Sequence, residues 1–199
     1  MTPTPLRKQI RTRKTRETEI RLELNLDGSG RINVDTGIGL FNHILELIAF
    51  WAGMDLEIVC EGDLAVDAHH TMEDAGLVFG ETMNAALGDK TGIRRVGNGR
   101  IPMDEALTTV DIDLSGRPYL VWRGDELLPR SLIGEEIDVW REFYKSFAFA
   151  GKFNLHINFL YGLNGHHLLE SAAKGLGEAL RQAMRNEGSS LRSSKGVLC

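Results

Sequence analysis

The sequence predicts an α+β fold built from two similar halves. Two observations support this prediction. The order strand, strand, helix, strand, helix can be followed twice along the 199 residues, and a His-His-x-x-Glu motif opens the last helix of each half. The strand patterns favour small, largely antiparallel sheets with helices packed on one face of each. A hydrophobic content of 42% is sufficient for a sizeable core.

The first half contains three predicted strands and two predicted helices. A turn over 27–30 (Asp-Gly-Ser-Gly) joins the first two strands as a hairpin. Gly53 and Gly88 mark the ends of the two helices. The strands cover 18–26, 31–34 and 54–60, and the helices cover 41–51 and 69–87.

The second half repeats this order, with Ser115-Gly116 as the hairpin turn. The Gly-rich, basic segment 91–105 predicts the boundary between half-repeats 1–95 and 96–199. The Ser-rich stretch 188–195 predicts a tail that is mobile unless a ligand orders it. The strands cover 107–114, 118–122 and 153–160, and the helices cover 135–150 and 166–185.

Charge and cysteine content limit the function classes. A net charge of −5 argues against general nucleic-acid or membrane-surface binding. Cys60 and Cys199 suggest neither a disulfide framework nor a cysteine metal site, and no apolar run approaches ~20 residues, so we expect a cytoplasmic protein. The six Lys and Arg residues between Arg7 and Arg16 favour an edge strand or a basic arm over a transit peptide or an RNA-binding arm.

Four of the six histidines form two doublets, each at the start of a predicted helix. The second histidine and the glutamate of each motif are three residues apart, so they share a helix face and could bind one ion. Adjacent histidines diverge by about 100° around a helix and therefore serve different ions. Two copies at the same place in a repeat predict a two-metal site rather than a polar helix start or a tag remnant. The motif residues are His69, His70, Glu73, His166, His167 and Glu170.

The preceding helix of each half offers one more candidate ligand. His43 lies 26 residues before the first doublet, and Glu142 lies 24 residues before the second in a similar sequence context. His156, inside a predicted strand, is interpreted as a structural residue. Imidazole and carboxylate ligands without thiolate suit Mn, Fe, Co, Ni or Zn, and a six-coordinate site favours Mn.

These motifs resemble the imidazoleglycerol-phosphate dehydratase family. The resemblance runs from about Arg13 to Leu198 and includes DAHHTMED at 67–74, LSGRPY at 114–119, GHH at 165–167 and SSKGVL at 193–198. It implies a duplicated fold like the second domain of ribosomal protein S5 and two Mn²⁺ ions per active site. It also implies a homo-oligomer of twenty-four subunits with active sites at the subunit interfaces.

The resemblance implies how the ligands divide between the two ions. Most family members have His where this chain has Glu142, and Asp where it has Asn42, so the metal affinity and the support of His43 could differ here. One ion is expected to take His43, His70, Glu73 and His166, and the other His69, Glu142, His167 and Glu170.

The resemblance also implies the residues that bind the substrate. Guanidinium and ammonium groups suit a phosphate dianion. Glu17 is the implied general acid/base, although Glu19 and Glu23 share its strand parity. The implied phosphate contacts are Arg95, Arg117, Lys174, Ser193, Ser194 and Lys195, and the substrate is also expected to touch Glu17, His43, His69, His70, Glu73 and His166.

The reaction that the resemblance implies is the loss of water from imidazoleglycerol phosphate to give imidazole acetol phosphate, in histidine biosynthesis. No carbonyl acidifies the departing proton, so a metal-stabilised imidazolate would expel the hydroxyl through a diazafulvene-like intermediate. Two other functions stay open, a dinuclear metal hydrolase and a metal-dependent RNA-binding or assembly protein. A keto product, phosphate release or salt-sensitive RNA binding would distinguish the three.

Overall fold

A computed structural model describes residues 7–132 and 134–198, so Cys199 lies outside the described residues. The helices are α1 Gly39–Ala52, α2 His69–Leu87, α3 Ile137–Gly151 and α4 Gly165–Met184. The long strands are β1 Lys8–Lys14, β2 Thr18–Asn25, β3 Ile32–Asp35, β4 Asp55–Gly62, β5 Val96–Met103, β6 Ala106–Asp113, β7 Tyr119–Arg123 and β10 Asn154–Tyr161. Ser131–Leu132 (β8) and Glu135–Glu136 (β9) form a short ribbon before α3.

The first sheet has the strand order β1-β2-β4-β3. Strand β2 pairs antiparallel with β1 and β4, and β3 pairs parallel with β4. The predicted hairpin between β2 and β3 is therefore wrong, because β4 lies between them. The Gly-rich turn wraps around the start of β4, where Ser29 N–H and Arg31 N–H donate to Asp55 Oδ1 at 2.6 and 2.9 Å. Gly28 is required there, since a Cβ would lie 2.3 Å from Asp55 N.

The second sheet repeats this topology as β5-β6-β10-β7, and again the predicted hairpin is replaced by a parallel pair, β7 with β10. The segment predicted as a boundary contains the edge strand β5. Its glycines serve close packing rather than a linker. A Cβ at Gly97 would lie 2.0 Å from Ala179 O, and one at Gly99 would lie 2.3 Å from Gly175 O, both in α4. At the N-terminus, the predicted edge strand is confirmed as β1.

The four helices pack between the two sheets and join the halves. Helix α2 packs on β1 and β2, and α4 packs on β5 and β6. Helix α1 crosses α4, and α3 crosses α2, so each crossing joins a helix of one half to a helix of the other. One continuous core results, and the predicted duplicated α+β fold is confirmed. No helix in the described ranges is long and apolar enough to cross a membrane.

Candidate metal centre and phosphate pocket

The crossing of α1 with α4 brings three candidate metal ligands together. His43 Nε2 lies 3.3 Å and His166 Nε2 lies 2.8 Å from Glu170 Oε1. One ligand atom from each of the three lies within 4.8 Å of the others. We call these residues the His43 cluster. They can present two imidazole nitrogens and a carboxylate to one ion.

The Glu170 carboxylate is only 10% exposed. Burial opposes its ionisation, but hydrogen bonds from Lys174 and His166 lower its pKa to about 2. It is therefore a carboxylate at neutral pH, as a metal ligand must be. Lys174, a predicted phosphate contact, has its Nζ 2.9 Å from Glu170 Oε2 and 3.1 Å from Met103 Sδ.

The crossing of α2 with α3 holds the corresponding residues of the other repeat. His43 and Glu142 are counterparts, because each lies ten residues before the left-handed residue that caps its helix, Gly53 or Lys152. His69 Nε2 lies 3.5 Å from Glu73 Oε2. Glu142, however, makes an ion pair with Lys145 at 2.7 Å. Within the described part of the chain, only the His43 cluster forms a group of three potential ligands this close.

These contacts differ from the expected pairing. Within one chain, Glu170 rather than Glu73 joins His43 and His166. The first histidine of each doublet, not the second, contacts the glutamate, at a spacing of four residues. Two residues four apart lie on the same helix face, and the α1 crossing puts the α4 carboxylate, not the α2 carboxylate, within reach of His43. The division of the ligands between two bound ions stays a prediction.

The second histidine of each doublet turns to a different carboxylate. The ring planes of His69 and His70 lie 86° apart, as do those of His166 and His167. His70 Nδ1 lies 3.0 Å from Asp63, and His167 Nδ1 lies 2.8 Å from Glu105. Each carboxylate raises the pKa of the histidine that it contacts.

Glu17 is distinguished from the glutamates of the strand that follows it by its neighbour. Its Oε1 lies 3.8 Å from His70 Nε2, and its side chain is 52% exposed. Glu19 and Glu23 are instead paired with Lys14 and Lys8.

A hydroxyl network fixes the turn that carries Glu17. Thr15 Oγ1 accepts from Glu17 N–H and Thr18 N–H at 3.1 and 3.0 Å. Thr18 Oγ1 in turn donates to the buried Asp74 at 2.5 Å. The turn is thereby attached to α2, the helix that bears His70.

The predicted phosphate contacts other than Lys174 lie in one cavity. Arg95 anchors it: its Nε and Nη2 donate to Asp113 at 2.7 and 2.9 Å, and its Nη1 donates to Arg192 O at 2.6 Å. The pKa of Arg95 is raised by the hydrogen bond to Asp113. The lining residues are Arg95, Arg117, Ser193, Ser194, Lys195, Val197 and Leu198.

Sequence reasoning missed two carboxylates that contact the doublet histidines. Asp63 and Glu105 were not identified, although Glu17 and Glu105 each stand immediately before the second strand of their hairpins. Aligning the halves by strands rather than histidines would have revealed that match. Asn42 accepts from Thr36 N–H and Oγ1 at 2.9 and 2.6 Å, so it holds the turn before α1.

Comparison with known proteins identifies the family. The sequence model of imidazoleglycerol-phosphate dehydratase matches residues 36–180. The protein of that name from Nitratidesulfovibrio vulgaris is 60% identical over 186 residues, which are 94% of this chain and 95% of that protein. The one from Oleidesulfovibrio alaskensis is 62% identical over 187 residues, with the same coverage of 94% and 95%.

Two solved structures agree with this assignment. The enzyme from Pyrococcus furiosus has a TM-score of 0.82 at 35% identity and covers 94% of this chain and 100% of its own. The Staphylococcus aureus enzyme has a TM-score of 0.80 at 30% identity, with coverage of 90% and 99%. Sequence and fold thus agree, and the chain belongs to the imidazoleglycerol-phosphate dehydratase family, hydro-lyases of histidine biosynthesis.

Proposed function

We propose that this chain converts imidazoleglycerol phosphate to imidazole acetol phosphate and water with the help of two divalent metal ions per active site, preferably Mn²⁺. The His43 cluster is the observation that supports metal dependence most directly. Two imidazoles and a carboxylate, with no thiolate, fit an ion of this class. His43, His166 and Glu170 would hold one ion. His69, Glu73 and Glu142 would contribute to the other.

Each ion would need further ligands, and the second histidines are suited to supply them. Three protein ligands fill half of an octahedral shell. His70 and His167 bind carboxylates through Nδ1 and leave Nε2 outside the clusters of their own chain. We therefore propose that a neighbouring subunit receives these Nε2 atoms. Exposed apolar side chains such as Phe50 (70%) and Leu163 (92%) support association, and the family resemblance favours twenty-four subunits.

The chain's own residues bind the substrate and move its protons. Bound divalent ions would supply the Lewis acidity that favours the imidazolate form of the substrate. Glu17, half-exposed beside His70, would take the proton from the substrate carbon and return one to the product as it becomes a ketone. Arg95, Arg117 and the Ser193–Lys195 segment would bind the phosphate, and the tail would close over it. Lys174 stays a predicted phosphate contact. Within this chain its ammonium group forms an ion pair with Glu170 instead.

The substrate class and the setting follow from the same proposal. The only partners that we infer are the small phosphorylated substrate, metal ions and further copies of the chain, with no nucleic acid and no membrane. The role in amino-acid biosynthesis and the free, buried Cys60 support a cytoplasmic location.

A dehydratase assay of chelated and Mn²⁺-reconstituted protein tests this function. Chelation should abolish formation of the keto product, and Mn²⁺ should restore it, because the imidazolate is not sufficiently stabilised without the ions. Phosphate should be measured in the same reaction. Phosphate release without a keto product would identify a hydrolase instead, and turnover that survives complete metal removal would contradict the proposal.

A further inference from the structure

We propose that Glu105 is a positioning residue that fixes the orientation and the tautomer of His167, and that Asp63 has the same task at His70. Neither carboxylate is a predicted ligand or substrate contact. The inference rests on the proposed function, because it assigns the two histidines to bound metal through Nε2.

Two backbone N–H groups hold the Glu105 carboxylate in place in addition to its contact with the histidine. Its Oε1 accepts from Leu163 N–H and Asn164 N–H at 3.1 and 2.8 Å. Its Oε2 is then left for His167 Nδ1 at 2.8 Å. An ionised carboxylate can only accept, so Nδ1 carries the proton and Nε2 keeps its lone pair. A histidine that binds metal through Nε2 needs this tautomer.

Asp63 makes the matching contact in the first half. Its two carboxylate oxygens lie 3.2 and 3.0 Å from His70 Nδ1, and its N–H donates to Glu17 O at 3.0 Å. His70 is therefore oriented by the residue that follows β4, and His167 by the residue that precedes β6. The same task is performed from two different places in the repeat.

The residue that follows the last strand of each half explains why the two histidines are oriented from different places. The residue that follows β4 is Asp63, whereas the residue that follows β10 is Gly162. A Cβ at Gly162 would lie 2.8 Å from Leu168 Cδ2 and 3.0 Å from Ala106 Cβ, so a side chain there would have to displace Leu168. The connection to α4 is also shorter, with residues 162–164 in place of 63–68.

Glu105 fills the place that Asp63 occupies in the other half. In the first half Asp63 contacts His70 Nδ1, and Glu17, the counterpart of Glu105, lies on the other side of the ring. Glu17 Oε1 is 3.8 Å from His70 Nε2. One position of the repeat therefore has two roles, proton transfer in the first half and ligand positioning in the second.

The variant Glu105→Gln isolates the contact with the histidine. The glutamine oxygen can still accept from the two backbone N–H groups, while its amide nitrogen now faces His167 Nδ1. That nitrogen only donates, so it favours the tautomer with the proton on Nε2, which cannot bind metal through Nε2. We expect the Mn²⁺ affinity to fall by about 10- to 100-fold. The readout is Mn²⁺ bound per subunit across a series of buffered free-metal concentrations.

Three comparisons complete the experiment. Glu57→Gln makes the same change of charge at an exposed glutamate paired with Arg21, and it should keep wild-type affinity. Asp63→Asn should weaken Mn²⁺ binding as Glu105→Gln does. Saturating Mn²⁺ should restore most of the kcat of Glu105→Gln, because a positioning residue does not touch the reacting atoms.

Each outcome decides something. Wild-type Mn²⁺ affinity in a Glu105→Gln protein with a normal circular dichroism spectrum would overturn the inference and leave the proposed function standing. Wild-type protein that binds no divalent metal would overturn both. If Glu105→Gln does not fold, Asp63→Asn decides, and unchanged affinity in that variant would overturn the inference.

Discussion

The β1–β2 hairpin and the β5–β6 hairpin occupy matching places in the two sheets but set a glutamate in different surroundings. Each ends in a glutamate directly before its second strand, Glu17 or Glu105. Glu17 lies on the Nε2 side of a histidine and is open to solvent, whereas Glu105 is bound to the Nδ1 side and to two backbone N–H groups. The neighbouring residues differ as well, because Asp63 follows the last strand of the first half and Gly162 follows the last strand of the second.

The two histidine doublets are held by the same backbone contact although the contacting residues differ. Asp67 and Asn164 both accept the backbone N–H of the first histidine, at 2.8 and 2.9 Å. Both doublets therefore start their helices in the same orientation. The two halves therefore keep the position of a side chain more strictly than its function. Matched positions can be compared by making the same kind of substitution in each half.

The largest expected effect separates the two hairpin glutamates. Glu17→Gln should lower kcat by about 10²- to 10⁴-fold without loss of bound Mn²⁺, because it removes the proton-transfer group and no ligand. Steady-state kinetics and metal analysis of the same preparation measure this. Glu19→Gln, which changes a neighbouring glutamate paired with Lys14, is the control and should keep wild-type kcat. Undiminished turnover in Glu17→Gln would remove the functional difference between the hairpins.

A smaller effect is expected where only the second half has a cationic turn. Arg117 follows the Ser115-Gly116 turn and lines the cavity of the predicted phosphate contacts. Ser29 occupies the matching place after Gly28. Arg117→Ala should raise KM by about 10- to 100-fold, the value of one or two charge-assisted hydrogen bonds to phosphate. Arg31→Ala, near the first-half turn, should leave KM unchanged. Equal effects of the two substitutions on KM would show that the phosphate is not bound here.

The smallest expected effect concerns stability, at the first residue of the last strand in each half. Asp55 holds the turn before β3, and its counterpart Asn154 donates to Arg117 O at 2.7 Å. Burial opposes the ionisation of Asp55, but hydrogen bonds from Arg31 N–H and Ser29 N–H outweigh it, so its pKa is well below the ordinary value. A lowered pKa in the folded state stabilises the protein above the unfolded value of about 4, and that stability is lost as the pH falls further.

Asp55→Asn should therefore cost about 1–3 kcal/mol near pH 7, and the difference from wild type should shrink below about pH 4. Urea unfolding at matched protein concentration measures it. Asp125→Asn, at an exposed aspartate, should be neutral at both pH values. A difference that grows in acid would contradict the lowered pKa of Asp55.

The sequence was most informative where a signal is local. The predicted helix over 69–87 has the bounds observed for α2, because its apolar spacing and terminal Gly88 lie within one segment. The strand pairing was wrong because nothing local shows that β4 enters between β2 and β3. The contact of His43 with Glu170 was missed for the same reason, since it depends on how α1 crosses α4. The candidate site residues were predicted from residue type and family resemblance, and their neighbours required the fold.

Two glycines at the helix crossings have a consequence for the origin of the chain. A Cβ at Gly80 in α2 would lie 2.5 Å from Phe147 O in α3, and one at Gly177 in α4 would lie 2.7 Å from Ile48 O in α1. Both crossings are therefore backbone contacts between the halves, and neither half can cover its own helices. A half-length chain with this fold would need a second copy to close its core and to bring the residues of the His43 cluster together. The two halves of this chain are thus related to each other as the two subunits of a dimer would be, joined in one polypeptide.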